Sequence, residues 1–279
     1  MESVTSNSQA MGLHDEKLTG RTQQLFFSPS EEENFVYPWA HEVDFDKSTT
    51  LDASDVDVTA LNIQIREAMA AGCGSITIKN PGAQHGLGVG ILNRLNLRFE
   101  GSLGYFACGL IDGPNVTITG RVGWSCAENM MAGRVVIEKN AGSLFGAAIR
   151  GGDLVCKGDA GARVGIDQKG GTIIVGGNAG AFCGFMMQRG RMIILGDAGE
   201  NLGDSMYDGT IYVAGEVESL GVDCVPGSIS KLDQDWLQGK LDQYGLKAPG
   251  GIGSIKKYVS GKQLWNYDNL EPSEKKIVL

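Results

Sequence analysis

The sequence has none of the patterns of an exported or membrane-spanning protein. Its first thirty residues are polar and contain no apolar run of the length found in a secretory signal peptide. No stretch approaches the ~20 apolar residues that a membrane-spanning helix needs. These absences predict a soluble, cytoplasmic protein that does not bind a membrane.

Metal-ligating side chains are few, and their spacing does not suit a metal site. The 6 cysteines form no CxxC pair, and the 3 histidines, His14, His41 and His85, lie in no Cys/His cluster at ligand spacing. We therefore expect no metal site that this chain builds alone.

Common cofactor and nucleophile motifs are also missing. Gly86, Gly88 and Gly90 begin like a dinucleotide-binding loop, but Ile91 stands where G-x-G-x-x-G requires its third glycine. The sequence contains neither a Walker A motif nor a G-x-S-x-G nucleophile elbow. We expect no catalytic, cofactor-binding or metal-binding residues in this chain.

Basic stripes are absent as well. The net charge is −9, and most of the acidic excess lies between Glu31 and Asp57. A nucleic-acid partner would need a basic surface, so none is expected. Residues 1–54 are predicted to be an acidic arm, largely disordered or extended.

Glycine is abundant, with 42 residues, and many recur at a fixed interval of nineteen. The first series is Gly104, Gly123, Gly142, Gly161, Gly180 and Gly199. Two more series keep the same interval, one from Gly133 to Gly209 and one from Gly146 to Gly203. A repeat held in this way is typical of a solenoid, whose coils all turn at the same positions.

Apolar residues follow the same repeat when coils are counted from Gly101. The seventh, eleventh, sixteenth and eighteenth positions are largely apolar, and the ninth is mixed. Examples are the seventh-position series Ala107, Cys126, Phe145, Val164, Cys183 and Leu202. Alternation by two predicts strands, and repetition between coils predicts parallel pairing in register. The fold class is therefore all-β, a right-handed parallel β-helix of roughly six to seven coils.

A second polar series, Asn140, Asp159, Asn178 and Asp197, precedes an Ala-Gly pair in each coil. Asn and Asp suit tight corners, so we interpret the series as a corner ladder and not as paired catalytic acids. An Asn between two carboxylates could donate to both neighbours. Cys126, Cys156 and Cys183 lie in apolar positions and are predicted to be small core residues.

The flanks break the repeat. A helix from Asp57 to Ala71 and a strand at Ser75–Lys79 form a predicted α/β cap over residues 55–81, ahead of a β-helix at 82–225. Residues 226–279 are a C-terminal extension with a predicted helix from Ile229 to Tyr244. The aromatic tail from Ile252 onward could cover the last coil or bind a partner.

The coils, most clearly GAAIRGGDLVCKGDAGARVGIDQKGGTIIVGGNAG, resemble the GXGXG domain family, the β-helix of the glutamate synthase large chain. The resemblance runs from about Asp57 to Asp223. The segments ALNIQIRE, NPGAQHGLGVG, DGPNVTITGRVGW, AENMMAG, GFMMQRG and GDSMYDGTIYV look most like stand-alone glutamate-synthase-like subunits. Among these, the stand-alone GXGXG subunit of N-methylglutamate synthase is the first candidate.

The resemblance implies a non-catalytic scaffold. It would join a class II glutamine amidotransferase-like subunit to an FMN-binding glutamate-synthase-like subunit, in which an iron–sulfur cluster is a further candidate group. The implied reaction converts methylamine and L-glutamate to N-methyl-L-glutamate and ammonia. Alternatives are a subunit of a glutamate synthase acting on glutamine and 2-oxoglutarate, or the C subunit of a formylmethanofuran dehydrogenase or formyltransferase/hydrolase complex.

A third alternative is an independent β-helix enzyme or sugar-binding protein. Glu128, Asp204 and Gln168 are polar residues at otherwise apolar positions, and they would be its candidate site residues. A solvent cleft lined by these three side chains would favour this alternative.

Overall fold

A computed structural model describes residues 40–261 and contains a parallel β-solenoid of about 7 turns, repeating about every 19 residues. In chain order the elements are β1 (Asp44–Asp52), α1 (Val58–Ala70), β2 (Cys73–Lys79), β3 (Asn96–Glu100), β4 (Asp112–Ile118), β5 (Ala132–Ile137), β6 (Asp153–Cys156), β7 (Lys169–Val175), β8 (Arg189–Ile194), β9 (Thr210–Val213), β10 (Cys224–Gly227), α2 (Lys231–Tyr244), a 3-10 turn (Ile252–Ser254) and β11 (Lys256–Ser260).

The strands β1 to β9 form one parallel ladder in which each strand pairs with its counterpart in the next coil. Val116 pairs with Val135, Val135 with Leu154, and Leu154 with Ile173, so equivalent residues stack in register. A second row of parallel bridges, a few residues after each ladder strand, runs from Leu103 to Val217. These two rows confirm the predicted parallel β-helix.

The interior is built from the predicted positions. The residues at the seventh, eleventh, sixteenth and eighteenth positions of the six coils are buried. Phe145 and Ile173, for example, have no exposed surface. The ninth position is different, because Glu128 and Asp204 are half-buried there. The nineteen-residue repeat therefore predicted the buried positions correctly. Its mixed ninth position is the one at the edge of the core.

The side of the coils away from the ladder turns through alternating left-handed residues. In one coil Ser125, Ala127 and Asn129 have φ values of 56°, 58° and 55°. Such backbone is unfavourable for side chains other than glycine. The amides of these residues donate to carbonyls of adjacent coils, Ser125 to Ser143 and Ala127 to Ala107. Coil-to-coil hydrogen bonding therefore fixes a turn that local preference opposes.

The predicted α/β cap is visible at the start of the solenoid. Asp57 caps α1 by accepting from the amides of Thr59 and Ala60. The helix buries Leu61 and Ile65 against the core. Strand β1 pairs in parallel with β2, although its residues belong to the stretch that the sequence assigned to an acidic arm. The rest of that arm, residues 1–39, lies outside the described residues.

The C-terminal extension covers both a face and an end of the solenoid. Helix α2 buries Leu237 and Leu241 against a second apolar cluster, formed on the outer face of the ladder by Val155, Ile174 and Ile193. Strand β11 inserts antiparallel between β9 and β10. Up to Gly261 the extension is therefore intramolecular cover; Leu264, Trp265 and Tyr267 lie outside the described residues.

Polar contacts fasten α2 at two levels of the solenoid. On β6, Asp153 accepts from Lys240 Nζ at 2.6 Å and from Tyr244 Oη at 2.5 Å. On β9, Tyr212 Oη donates to Asp233 at 2.5 Å. The two contacts lie three coils apart, so the helix spans a fixed length of the ladder.

The second of these contacts holds a buried charge. Burial alone would raise the pKa of Asp233, but hydrogen bonds from Tyr212 and Ser230 and the Lys257 ammonium 3.4 Å away together lower this pKa. The carboxylate also completes a capping box with Ser230 at the start of α2. Asp233 is thus ionised and satisfied where it joins the helix to the last coils.

Candidate functional site

Three aromatic rings stack along the loop side of the first coils. His85 and Tyr105 have ring centroids 4.6 Å apart with planes 11° from parallel, and Tyr105 and Trp124 follow at 5.4 Å and 22°. The Nδ1 atom of His85 also accepts a hydrogen bond from the Tyr105 amide at 2.9 Å. The spacing equals about one coil, so the solenoid itself sets the stack.

Glycines make room for these rings. A methyl group added at Gly123 would lie 2.5 Å from Tyr105 Cδ1, and one added at Gly142 would lie 2.6 Å from Trp124 Cδ1. Real side chains do not approach so closely. One of the three glycine series therefore provides a flat surface on which the aromatic rings lie.

Two coils that carry the stack also carry further large exposed apolar side chains, and these residues are here named the aromatic patch. Its members are Tyr105, Phe106, Leu110, Trp124 and Met131, and each is between 40% and 57% exposed. All five come from two successive coils. Large exposed apolar side chains grouped in this way mark an interaction surface more often than a catalytic cleft. The sequence prediction missed the patch, although the nineteen-residue interval between Tyr105 and Trp124 was an available signal.

The three polar residues proposed as alternative site residues are not brought together. Glu128 and Asp204 occupy the same position of coils that are four apart, which corresponds to ~19 Å along the axis. Asp204 accepts from Ser205 Oγ of its own loop at 2.7 Å and from the Val222 amide of the next turn of the chain at 3.2 Å. Their separation does not suit a pair of acids that share a substrate.

Gln168 lies inside the solenoid, not in a solvent cleft. It is fully buried, and its Nε2 donates to the carbonyls of Gly170, Gly171 and Arg191 at 3.0–3.3 Å. Its Oε1 has no hydrogen-bond partner. The amide thus serves backbone carbonyls of two neighbouring coils, which is a structural task.

The Asn/Asp series forms a corner ladder, as predicted, but through different atoms. Asn178 Oδ1 accepts from the amide of Asp197 at 2.8 Å, and Asp159 Oδ1 accepts from the amide of Asn178 at 2.8 Å. The described bonds therefore link each side-chain oxygen to a backbone amide of the next coil, and the expected Asn-to-carboxylate donation is replaced. Since each carboxylate is engaged by the backbone, a catalytic role has no support here.

All six cysteines are buried and unpaired. Burial raises the pKa of Cys108 and of Cys183 to about 12, and that of Cys156 to about 11. A thiol with so high a pKa is protonated near neutral pH and is a poor nucleophile. Cys126, Cys156 and Cys183 are core residues, which confirms their predicted place in the apolar ladders.

Metal-ligating side chains are scattered over the described part of the chain. Within residues 40–261, His, Cys, Asp and Glu side chains do not gather in groups of three that could hold a metal ion. In the same range neither helix is long and apolar enough to cross a membrane.

Fold and surface together define a parallel β-solenoid with large apolar side chains exposed on two successive coils. Residues 57–234 match the family model described as the GXGXG motif, and the chain belongs to that family. The motif is that of the C-terminal region of the glutamate synthase large chain, which makes the chain glutamate-synthase-like. A search of curated proteins finds no match.

Proposed function

We propose that this chain is a non-catalytic scaffold subunit of a glutamate-synthase-like complex, with N-methylglutamate synthase as the first candidate. The complex would convert methylamine and L-glutamate to N-methyl-L-glutamate and ammonia. A class II glutamine amidotransferase-like subunit and an FMN-binding subunit are the proposed partners, and FMN, with an iron–sulfur cluster as a further candidate, would be held by a partner.

The observation that carries this proposal is the family match across the coils, residues 57–234. A second observation supports the non-catalytic part. Polar residues that could do chemistry are committed to structure: the Asn178 ladder to backbone amides, Gln168 to carbonyls, and Asp233 to the α2 contact.

Rigid spacing is the proposed contribution to catalysis. About 7 coils at ~4.8 Å each give a rod of roughly 30 Å. Backbone hydrogen bonds join every coil to the next, so the length of the rod is fixed. A rod of constant length would hold two partner sites at one separation, and ammonia or an amine could pass between them before it escapes.

Affinity purification from the native host tests the proposal. A tagged chain should elute with an FMN protein and an amidotransferase homologue, identified by mass spectrometry and by flavin absorbance, and an untagged strain is the control. The eluate should form N-methylglutamate from methylamine and L-glutamate.

The other outcomes separate the alternatives. Activity with glutamine and 2-oxoglutarate would assign the complex as a glutamate synthase. Co-elution of a metal-dependent amidohydrolase would favour the formyl-transfer complex. A chain that elutes alone and has an activity of its own would overturn the scaffold proposal. A cytoplasmic location stays a prediction, which fractionation of the same cells can check.

A further inference from the structure

The column of residues that carries the aromatic stack continues past its last ring. Amides of one coil donate to carbonyls of the next along this column, from Phe106 to Trp124 at 2.8 Å and from Ser125 to Ser143 at 3.0 Å. Equivalent bonds join the later coils, so the column stays in register. It reads Tyr105, Trp124, Ser143, Ala162 and Ala181. Neighbours in this series therefore lie about one coil, or ~4.8 Å, apart.

Side chains of this column change from large to small after Trp124. His85, Tyr105 and Trp124 place exposed rings in three successive coils, and this group is here named the ridge. The next three coils carry only small, half-buried side chains, and these are here named the recess: Ser143, Ala162 and Ala181. Ridge and recess thus have the same length, ~14 Å each.

The ridge has contact area that its own column leaves open. Tyr105 lies on one face of the Trp124 ring, with centroids 5.4 Å apart, and the residue that follows in the column is Ser143. The other face of the indole is therefore not stacked on a ring of this column. Trp124 is 54% exposed and Tyr105 is 42% exposed. Tryptophan and tyrosine rings exposed in this way are the side chains that contribute most where proteins associate.

The equal lengths of ridge and recess make this surface complementary to a second copy of itself. A two-fold axis that lies across the column, between the levels of Trp124 and Ser143, would turn one solenoid antiparallel to the other. The ridge of each copy would then lie over the recess of the other copy. Trp124 would meet Ser143 of the second copy, and Tyr105 would meet its Ala162. The same contact would form twice, as in most symmetric dimers.

Charge favours the antiparallel pairing too. Phe106, which follows Tyr105 in sequence, is 56% exposed, and the rotation would bring it opposite Arg163 of the second copy. Arg163 is exposed, and its guanidinium lies 5.8 Å from the centre of the Phe182 ring. Phe106 would add a second ring to this cation–π contact. Parallel solenoids would instead oppose ridge to ridge and Arg163 to its own counterpart, which is a repulsive arrangement.

We propose that two copies of this chain form an antiparallel two-fold dimer in which the ridge of each copy fills the recess of the other. Trp124, the ring nearest the axis, is the anchor of the contact. The dimer forms from the isolated chain and does not depend on which complex the chain serves. It therefore holds or fails independently of the scaffold proposal.

Sedimentation velocity of the purified full-length chain tests the dimer across the micromolar range. The unmodified chain should shift from monomer to dimer as its concentration rises. Trp124→Ser removes the anchor and should raise the dissociation constant at least ~30-fold. Phe45→Ser removes an aromatic side chain of similar exposure, 48%, from β1 and should leave the dissociation constant unchanged. Circular dichroism checks that both variants are folded.

An exchange of side chains tests the antiparallel register. Ala162→Tyr fills the recess, and the new ring has room because Gly180 stands in the next coil where Gly123 stands beside Tyr105. This variant should be monomeric. Adding Tyr105→Ala to it should restore the dimer, because each contact again joins one ring to one small side chain.

Other results contradict the proposal. A chain that stays monomeric across the micromolar range, or a dimer that Ala162→Tyr leaves intact, would show that ridge and recess do not meet. A double variant that is folded but monomeric would rule out the antiparallel register. A monomer that binds the co-purified subunits only when Trp124 is present would assign the ridge to a partner protein and not to a second copy.

Discussion

The two halves of the outer ladder face differ in chemistry and in cover. From β1 to β4 the outward residues are polar and at least partly exposed, as at Thr50, Thr77 and Thr117. From β6 to β9 the equivalent residues are apolar and buried beneath α2, as at Val155 and Ile174. The same coil repeat thus has a polar outer face in one half and an apolar outer face in the other. Helix α2 covers the apolar half, whose exposure to water would be unfavourable.

The difference shows that the coil repeat and helix α2 stabilise the chain through two separate apolar cores. Inward positions are equally apolar in both halves, so the solenoid core does not depend on α2. The cover adds a second core, with polar contacts to Asp153 and Asp233 at either end. The covered half therefore has a fixed length, whereas the uncovered half is free to accept another coil.

Duplicating one coil is expected to give the largest difference in stability between the covered and the uncovered half. A second copy of residues 158–176 would move Asp153 ~4.8 Å farther from Asp233, and α2 could no longer keep both contacts. We expect the free energy of unfolding to fall by about 4 kcal/mol relative to a chain with residues 101–119 duplicated. Urea denaturation followed by circular dichroism measures the difference; equal losses would mean that α2 does not set the length.

Removing one apolar contact of the cover is the next test. Leu237→Ala empties a fully buried position of the second core and should cost about 3 kcal/mol in the free energy of unfolding. Thr117→Ala, on the uncovered half, should change it by less than about 0.5 kcal/mol. Similar values for the two variants in urea titrations would contradict the contrast between the halves.

The ionised contact at the end of the cover predicts a dependence on pH. Because the pKa of Asp233 is lowered in the folded chain, its stabilisation is present above the unfolded pKa of ~3.9 and is lost as the pH falls through the folded value. The fluorescence of Trp236 on α2 should therefore report loosening below about pH 4.

Two variants define this acid effect. Asp233→Asn should remove the acid transition and cost about 2 kcal/mol at pH 7, because hydrogen bonds to a charged group are lost. Asp235→Asn, on the exposed side of the same helix, should leave the transition unchanged. If the transition persists in Asp233→Asn, another carboxyl group must cause it.

The smallest loss of stability is expected from a change in the corner ladder of Asn and Asp residues. Both halves of the strand ladder should stay folded after such a change. Asn178→Ala removes one side-chain acceptor from the Asp197 amide and should cost about 1 kcal/mol. Thermal melts are sensitive enough to measure this. A neutral substitution would indicate that water replaces the lost oxygen at no cost.

The sequence was most informative where the repeat is strict. Core positions such as Phe145 and Ile173 followed from the nineteen-residue interval, and α1 followed from the spacing of Leu61, Ile65 and Met69. Strand β1 was not predicted, because its charged sequence, DFDKSTTLD, does not look like a strand and pairs only because β2 offers an edge.

The helix from Ile229 to Tyr244 was predicted, but the strand face on which it packs to form the second core was not, for a different reason. Runs such as Ile173-Ile174-Val175 are apolar on both strand faces, which indicates cover on both sides, but the partner helix is about sixty residues away in sequence. The stacking of His85 on Tyr105 was missed because these residues are 20 positions apart and so fall outside the interval. Long-range packing and a local irregularity are both invisible to a strict repeat.

Lengthening the rod tests the central claim most directly. The chain with residues 101–119 duplicated should fold, and in the proposed complex it should place the proposed partner sites ~4.8 Å farther apart. We expect formation of N-methylglutamate to fall at least tenfold while each partner keeps its own partial reaction, since the lost effective molarity belongs to the transfer between sites. An unchanged rate of the coupled reaction would contradict the claim that this chain positions catalysts.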